Sequence, residues 1–432
     1  MKRSDLQAIS EASHRWRIYP ALFFSLFAIY WASPNHIVVD SEYSIHTSVS
    51  LLRGYWGSLE NYETHPEETN VIEVDGKPFN YHPIGVSVIS LPLVWLGMEV
   101  YPPLLPTLQG VGHSKFEYVV SSFWAAALVA SFFHLLIAVG LARVPALVTT
   151  VMFALGTSVW SLAAMALWQH GPLMLMHVWT LYWLHRALDD DRYAKYAGLT
   201  LALAFIIRPT AAIPVVVFSA YVLFGHRRCL PAFLALAGLI AIPWLAYNWA
   251  IYDAIMPPSY LGRGPYFTFY NVAEGLAGTL VSPSRGLLIY SPAVLLAGPG
   301  LALGWRNTRL RALYRCILAI ILGHWLLVSS WPHWWGGHCY GPRMMSDLLP
   351  FLFLFVGLCV GWLLEERSAA SSRSAIGLWF LGAAFAWSLF VHAQGAIFNG
   401  PTDWNNAPVD VQDWQDRLWS WTDPPYFRFS GI

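Results

Sequence analysis

Runs of apolar residues, separated by short polar connections, extend along almost the whole chain. A helix needs about 20 mostly apolar residues to cross the hydrocarbon core of a bilayer. The runs that approach or reach this length lie at about 18–33, 83–101, 117–140, 145–164, 170–187, 193–207, 209–224, 230–251, 286–304, 312–331, 347–364 and 374–396. The pattern predicts an all-α integral membrane protein with a bundle of about 11–13 transmembrane helices.

One region leaves the number of crossings open. Five prolines interrupt residues 83–116, namely Pro83, Pro92, Pro102, Pro103 and Pro106. Proline removes a helical hydrogen bond and clashes with the preceding turn. We therefore expect a re-entrant segment or two short half-helices in this region, buried within the protein.

Basic residues predict which side of the membrane each connection faces. Lys2, Arg3, Arg15 and Arg17 precede the first apolar run, and no small-residue cleavage site follows it. This arrangement predicts a retained signal anchor with a cytoplasmic N-terminus. Short basic connections recur along the chain, as at Arg143, and the positive-inside rule places them in the cytoplasm.

The longest polar stretches, 34–82, 252–285 and 397–432, then fall on the outer face. We expect residues 1–396 to form one polytopic domain, with outer loops at 34–82, 252–285 and 332–346, and residues 397–432 to form an outer tail. The surface with room for a site is therefore the periplasmic or extracellular one.

Composition narrows the classes of function. Of the 432 residues, 56% are hydrophobic and only 12% are charged, which is unlike a soluble protein. The 25 basic residues balance the 25 acidic ones, so bulk charge excludes electrostatically driven nucleic-acid binding. Cys229, Cys316, Cys339 and Cys359 are isolated, which indicates neither a thiolate zinc site nor a disulfide scaffold.

The first outer loop opens with two carboxylates, Asp40 and Glu42. Ile45, Val49 and Leu52 follow at helical spacing and predict a short amphipathic helix beside the membrane. Carboxylates at such a place are suited to a general base or to holding a divalent cation. The alternative is an ordinary helix N-cap.

Two histidines and one arginine lie beside predicted outer membrane edges. His82 precedes Pro83, and His170 lies in a turn between two apolar runs. Either imidazole is suited to a phosphate or a sugar hydroxyl, although a water-capped histidine is the commoner case. Arg208 lies in another outer turn, where its guanidinium matches a phosphate; snorkelling to the interface is the alternative.

The loops that follow combine glycine and proline with further arginines. Tyr260 and Arg263 lie in one such stretch, and Arg285 and Tyr290 lie in the next. Glycine and proline around each arginine indicate a shaped turn rather than a flexible linker. We expect both arginines to contact an anionic ligand and both tyrosines to contact a substrate.

The stretch 330–343 joins two apolar runs and is rich in aromatic residues and glycine. Trp334 and Trp335 can stack on a sugar or a prenyl chain, and Arg343 can hold a phosphate. An interfacial aromatic belt would explain the tryptophans alone. We expect His338 to contact the substrate. It follows His333 at a spacing poorly matched to metal ligation, so a divalent cation would also need Asp40 or Glu42.

Several ordered motifs together resemble the GT-C superfamily of polytopic membrane glycosyltransferases. They are an acidic motif after the first apolar run, His-Pro-x-Gly at 82–85, Ser-Pro-x-Arg-Gly-x-x-x-Tyr-Ser-Pro at 282–292, and Trp-Trp-Gly-Gly followed by Gly-Pro-Arg at 334–343. More narrowly, they resemble bacterial relatives of protein mannosyltransferases and lipid A aminoarabinose transferases. Where such proteins often carry Lys-Pro-Pro, this chain has His-Pro-Ile.

The resemblance implies a sugar donor on a polyprenyl phosphate, an acceptor hydroxyl on a glycan, lipid or protein, and inversion at the anomeric carbon. It implies that Asp40 is the base, with Glu42 as a second acid. Arg208, Arg263, Arg285 and Arg343 are assigned to the donor phosphate from topology alone. A transporter or flippase for a lipid-linked sugar is the alternative from another class, and a ligase that uses a diphosphate donor is a third.

Overall fold

The computed structural model describes residues 3–36, 40–62, 64, 70–101, 115–260, 271–366 and 372–429. This part of the chain is predominantly helical, as the apolar pattern predicts. Its helices are α1 (Arg3–Trp31), α2 (Ser44–Leu52), α3 (Gly85–Val100), α4 (Lys115–Ala138), α5 (Arg143–Leu155), α6 (His170–Arg186), α7 (Ala194–Ile207), α8 (Ala212–Gly225), α9 (Leu230–Tyr252), α10 (Val272–Val281), α11 (Leu287–Tyr290), α12 (Ala297–Gly304), α13 (Arg311–Ser329), α14 (Leu349–Glu366), α15 (Ser372–Ile397) and α16 (Gly400–Asp403).

Five helical stretches in the described residues are long and apolar enough to cross a membrane: Phe116–Ala138, Arg227–Tyr252, Arg311–Ser329, Arg343–Glu365 and Ser374–Ile397. They differ in how deeply they are packed. In the apolar window of Arg343–Glu365, 78% of residues are buried, against 11% for Arg227–Tyr252. The former is therefore central in the bundle, and the latter lies at its edge.

Shorter apolar helices account for five other predicted runs: Arg17–Trp31, Gly85–Val100, Arg143–Leu155, Pro209–Gly225 and Pro292–Gly304. A sixth such helix, Val272–Val281, lies within the stretch 252–285 that was predicted as a loop. The core joins them to the long helices through aromatic contacts. Phe132 of α4 stacks on Phe153 of α5 at 4.3 Å between ring centroids, and Phe153 meets Phe353 of α14 edge-on at 5.6 Å. Such pairs add to the stability that burial of the rings supplies.

Several predicted segments differ in detail. The re-entrant segment or paired half-helices expected at 83–116 lie partly outside the described residues, of which 85–100 form one continuous helix, α3, that includes Pro92. The run 286–304 is not one helix: α11, a 3-10 segment at Pro292–Leu296 and α12 follow one another, because proline at 292 cannot continue α11. The run 145–164 ends its α-helix at Leu155 and continues as a π-helical turn, Val159–Ala163.

The stretch 34–82, predicted as the first outer loop, contains two strands and a helix in its described part. Strands β1 (Val71–Val74) and β2 (Lys77–Asn80) form an antiparallel hairpin, the only sheet in the described residues. Helix α2 forms where predicted, but Ser44 to Ser50 are all buried, so it packs inside the protein rather than lying on a membrane surface. Its N-cap is Tyr43, without a side-chain hydrogen bond, and the N-cap alternative for Asp40 is therefore wrong.

A close backbone approach fixes α3 against the end of α7. A Cβ added to Gly85 would lie 2.3 Å from the carbonyl oxygen of Ile206, which is far inside van der Waals contact. We expect Gly85→Ala to lower the free energy of unfolding by about 1–3 kcal/mol, because the two backbones must separate. Thermal unfolding of the purified protein measures this loss.

Gly382→Ala is the matched control, since a Cβ at this exposed helical position meets nothing within 4 Å. We expect it to leave the unfolding midpoint unchanged or slightly raised. Equal midpoints for the two alanine variants would contradict the close approach.

Candidate functional site

A narrow cleft brings together side chains from distant parts of the chain. Its empty volume is about 280 Å³, open solvent included. The residues that line it are Asp40, Ser44, His82, Pro83, Val86, Leu167, Trp168, Gln169, Arg208 and Arg343. Four of the predicted site residues, Asp40, His82, Arg208 and Arg343, therefore face one another here.

Asp40 and Arg343 form an ion pair across the cleft. Asp40 lies in the turn before α2, and Arg343 opens the 3-10 segment Arg343–Leu348 that leads into α14. The Arg343 guanidinium also lies over the Trp168 ring at 4.0 Å and donates to the Gly336 carbonyl at 3.2 Å. A cation held on an aromatic face is oriented as well as charged.

A buried carboxylate, Asp347, contacts Arg208 of the cleft and has only 1% of its side chain exposed. Its Oδ1 accepts from His170 Nδ1 at 2.6 Å, and Arg208 Nε lies 3.2 Å from its Oδ2. The Arg208 Nε–H itself points to Thr210 Oγ1 at 3.0 Å, so the Arg208–Asp347 contact is an ion pair without a hydrogen bond at Oδ2. The carboxylate thereby neutralises a buried cation.

The imidazole of His170 links this carboxylate to both arginines. Its Nε2 is 3.4 Å from Arg208 Nη1 and 3.3 Å from Arg343 Nε. His170 is the first residue of α6 and is fully buried, so it lies behind the cleft rather than in it. Its predicted contact with substrate is replaced here by contacts with the arginines.

A second hydrogen-bonded chain reaches the cleft from the acidic motif. Glu42 Oε2 accepts from Asn70 Nδ2 at 3.5 Å, and Asn70 Oδ1 is 3.1 Å from His82 Nε2. Asn80 Oδ1 also accepts from the His82 backbone amide at 2.9 Å. Glu42 is thus connected to the cleft through Asn70 and His82, and it is not among the described residues that line it.

Arg285 lies outside the cleft and holds the loop 330–343 to the tail. Its guanidinium donates to the carbonyls of Trp335 at 3.1 Å and Gly337 at 3.3 Å, and to Asn405 Oδ1 at 2.6 Å. Only 2% of Arg285 is exposed. The structure therefore gives this arginine a structural role in place of the predicted phosphate contact.

The predicted aromatic ligands are likewise buried. Trp334 and Trp335 pack against Trp404 in the tail, and each is 2% exposed. Tyr290 has no exposed surface and donates its hydroxyl hydrogen to the Ser284 carbonyl at 2.9 Å. These rings form a core under the tail and cannot stack on a ligand as predicted without rearrangement.

Three glycines shape the backbone of the loop 330–343. Gly336, Gly337 and Gly341 have φ between 69° and 78°, in the left-handed region that glycine adopts readily. The turns direct the carbonyls of Gly336 and Gly337 toward Arg343 and Arg285. These glycines therefore help to hold two arginines in place.

The remaining predicted residues are elsewhere. His338 pairs with Asp410 of the tail at 2.9 Å, with both side chains one-third exposed. Tyr260 ends a 3-10 turn, Pro258–Tyr260, and is not among the described residues of the cleft. Arg263 lies outside the described residues. No group of three His, Cys, Asp or Glu side chains within the described ranges is arranged to hold a metal ion.

Sequence reasoning missed two buried carboxylates. Asp347 lies at the start of an apolar run, and Glu117 lies at the start of another, where its Oε1 accepts from the Leu167 amide at 2.9 Å. Acidic groups at such positions are expensive unless they are paired, which is itself a signal of function or of a structural contact. Trp168 and Gln169, adjacent to His170, were also missed.

The geometry defines what the cleft can do chemically. Two guanidiniums converge where an anion would be neutralised and bound bidentately. A partly exposed carboxylate beside them can accept a proton from a bound hydroxyl. No protein-family model and no curated protein matches the chain.

The buried pair carries a prediction for stability. We expect Asp347→Ala to lower the free energy of unfolding by about 3–5 kcal/mol, because Arg208 is left buried without a counter-charge. Chemical denaturation of the purified protein measures the difference.

Asp410→Ala is the matched comparison, because it removes another His–Asp contact that is partly exposed. Its expected cost is below about 1 kcal/mol. A similar cost for both substitutions would show that Asp347 does not compensate a buried charge.

Proposed function

We propose that the protein is an inverting glycosyltransferase of the GT-C type, which moves a sugar from a polyprenyl-phosphate donor to an acceptor hydroxyl on a glycan, a lipid or a protein. One observation carries the proposal: Asp40, Arg208 and Arg343, far apart in sequence, line a single cleft. A transferase with such a donor needs a base for the acceptor and cations for the departing phosphate, and the cleft supplies both.

The two arginines would bind the donor phosphate. In the reaction the bond between the anomeric carbon and the phosphate oxygen breaks, and the polyprenyl phosphate leaves with the bonding electron pair. Arg208 and Arg343 stabilise the negative charge that develops on that oxygen. Fixed cations in a site with little water are effective at such stabilisation.

Asp40 would remove the proton from the acceptor hydroxyl as its oxygen attacks the opposite face of the anomeric carbon. About a quarter of the Asp40 side chain is exposed, so an acceptor can approach it. Arg343 pairs with Asp40 across the cleft. A donor phosphate competes for that guanidinium, and donor binding therefore frees the carboxylate to act as the base.

His82 also lines the cleft and is suited to hold the acceptor. Its imidazole is fixed by Asn70, which in turn contacts Glu42. Glu42 then acts through this chain as a positioning residue rather than as a second base. No divalent cation is needed in this scheme, since the two arginines supply the positive charge.

The apolar helices support a membrane setting for the reaction. Five of them are long enough to cross a bilayer, and the weakly buried Arg227–Tyr252 exposes Leu234, Leu239 and Ile242, as contact with lipid would require. We propose the bacterial inner membrane, with a cytoplasmic N-terminus and the cleft on the outer face, where a lipid-linked donor is accessible.

The base is tested by Asp40→Asn. We expect sugar transfer by the purified protein to fall by about 10²–10⁴-fold, because the amide cannot accept the proton, while donor binding is kept. The measurement uses a panel of radiolabelled polyprenyl-phosphate sugars with membrane extract as the source of acceptor.

Asp75→Asn is the control for the loss of one carboxylate in the same outer loop. Asp75 is exposed at the hairpin turn with φ of 51°, a conformation that asparagine adopts readily. Its rate should equal that of the wild type. Donor binding without turnover in the wild type, unchanged in Asp40→Asn, would favour a transporter or flippase.

The phosphate contact is tested by Arg343→Gln. We expect the donor KM to rise by about 10–100-fold, as for loss of a hydrogen-bonded charge, with a smaller change in the acceptor KM. Arg428→Gln is the control, because Arg428 pairs with Asp423 in the tail and does not line the cleft. Equal donor KM values for the two variants would exclude Arg343 from the phosphate site.

A further inference from the structure

The His170–Asp347 pair lies behind both arginines of the cleft, and its hydrogen bonds fix the state of the imidazole. A carboxylate only accepts hydrogen bonds, so His170 Nδ1 must carry the hydrogen that Asp347 Oδ1 accepts at 2.6 Å. Guanidinium nitrogens only donate. His170 Nε2 must therefore present its lone pair to Arg208 and Arg343, at 3.4 and 3.3 Å.

One neutral imidazole thus receives two cationic donors. Two neighbouring guanidiniums repel each other unless an acceptor lies between them. Arg343 also donates through Nη1 to the carbonyl of Gly336, and Arg208 donates through Nη2 to the Sδ of Met344 at 3.9 Å, but neither of these acceptors is shared by the two arginines. The lone pair of His170 is the shared contact that keeps both groups aimed at one place.

We propose that His170 and Asp347 are positioning residues: Asp347 sets the tautomer of His170, and His170 Nε2 holds the two guanidiniums in the spacing that receives one phosphate. The inference rests on the proposed function, since it assumes that the ligand of the cleft is a lipid-borne phosphate. In this arrangement, specificity for the phosphate depends on His170, a residue that does not touch it.

Two amide substitutions separate this role from mere packing. Asparagine at 170 can reach the place of Nδ1 and donate to Asp347, but it offers no acceptor at the place of Nε2. Glutamine at 170 is longer by one methylene and can bring an amide oxygen to the guanidiniums. His170→Asn should therefore lose the alignment of the arginines, and His170→Gln should restore much of it.

The probes are farnesyl phosphate and farnesol, which differ only in the phosphate. We expect wild-type protein in lipid nanodiscs to bind the phosphate more tightly than the alcohol. His170→Asn should weaken farnesyl phosphate binding by about 10–100-fold and leave farnesol binding unchanged. His170→Gln should remain within about threefold of the wild type.

His392→Asn is the matched control for the loss of a buried histidine with two partners. The two ring nitrogens of His392 lie 2.7 Å from Ser161 Oγ and 3.0 Å from Ser291 Oγ, and His392 contributes nothing to the cleft. This variant should lose thermal stability but keep the wild-type preference for the phosphate. A general loss of packing would instead weaken the binding of both farnesyl phosphate and farnesol in both asparagine variants.

The possible outcomes distinguish the positioning role of His170 from the proposed function of the cleft. Wild-type affinity for farnesyl phosphate no greater than for farnesol would contradict the proposed function. A wild-type preference for the phosphate that His170→Asn retains would overturn the positioning role and leave the proposed function standing. Failure of His170→Gln to recover binding when His170→Asn has lost it would also overturn the role, since the acceptor at Nε2 would not be what matters.

Discussion

The arrangement of the cleft depends on one buried carboxylate. Asp347 lies between a histidine at the start of α6 and an arginine that follows α7, and it contacts both. Isolated charges are expensive to bury, and a carboxylate that compensates a cation removes most of that cost. The same contact joins three segments of the bundle. Stability of the fold and geometry of the site therefore rest on a single group.

Arg285 has a comparable structural role outside the cleft. Arg285 ties carbonyls of the loop 330–343 to Asn405, and the tail then covers Trp334 and Trp335. Because Arg343 lies at the end of that loop, the tail indirectly sets the backbone from which Arg343 reaches the cleft. Arg285 thus joins parts of the protein to one another, whereas Arg343 lines the cleft.

The helical fold could be predicted because the apolar runs are long. Four residues of the cleft could be predicted because polar or charged side chains at the ends of such runs are costly to bury without a partner or a function. The sequence could not distinguish Arg285 from Arg343: both lie among glycine and proline, and only tertiary contacts separate them. Trp334 and Trp335 were misjudged for the same reason, since their burial depends on a tail some 70 residues later. The hairpin at Val71–Asn80 was not predicted, because an acidic segment precedes it in the sequence.

We propose that Arg208 and Arg343 together hold the phosphate of a lipid-linked sugar beside Asp40. The decisive measurement is an experimental structure of the protein in lipid nanodiscs with a non-transferable polyprenyl-phosphonate sugar. We expect the phosphonate to lie between the two guanidiniums, the anomeric carbon to face Asp40, and the Asp40–Arg343 pair to be opened. A phosphonate bound elsewhere, with that pair intact, would exclude this role for the two arginines.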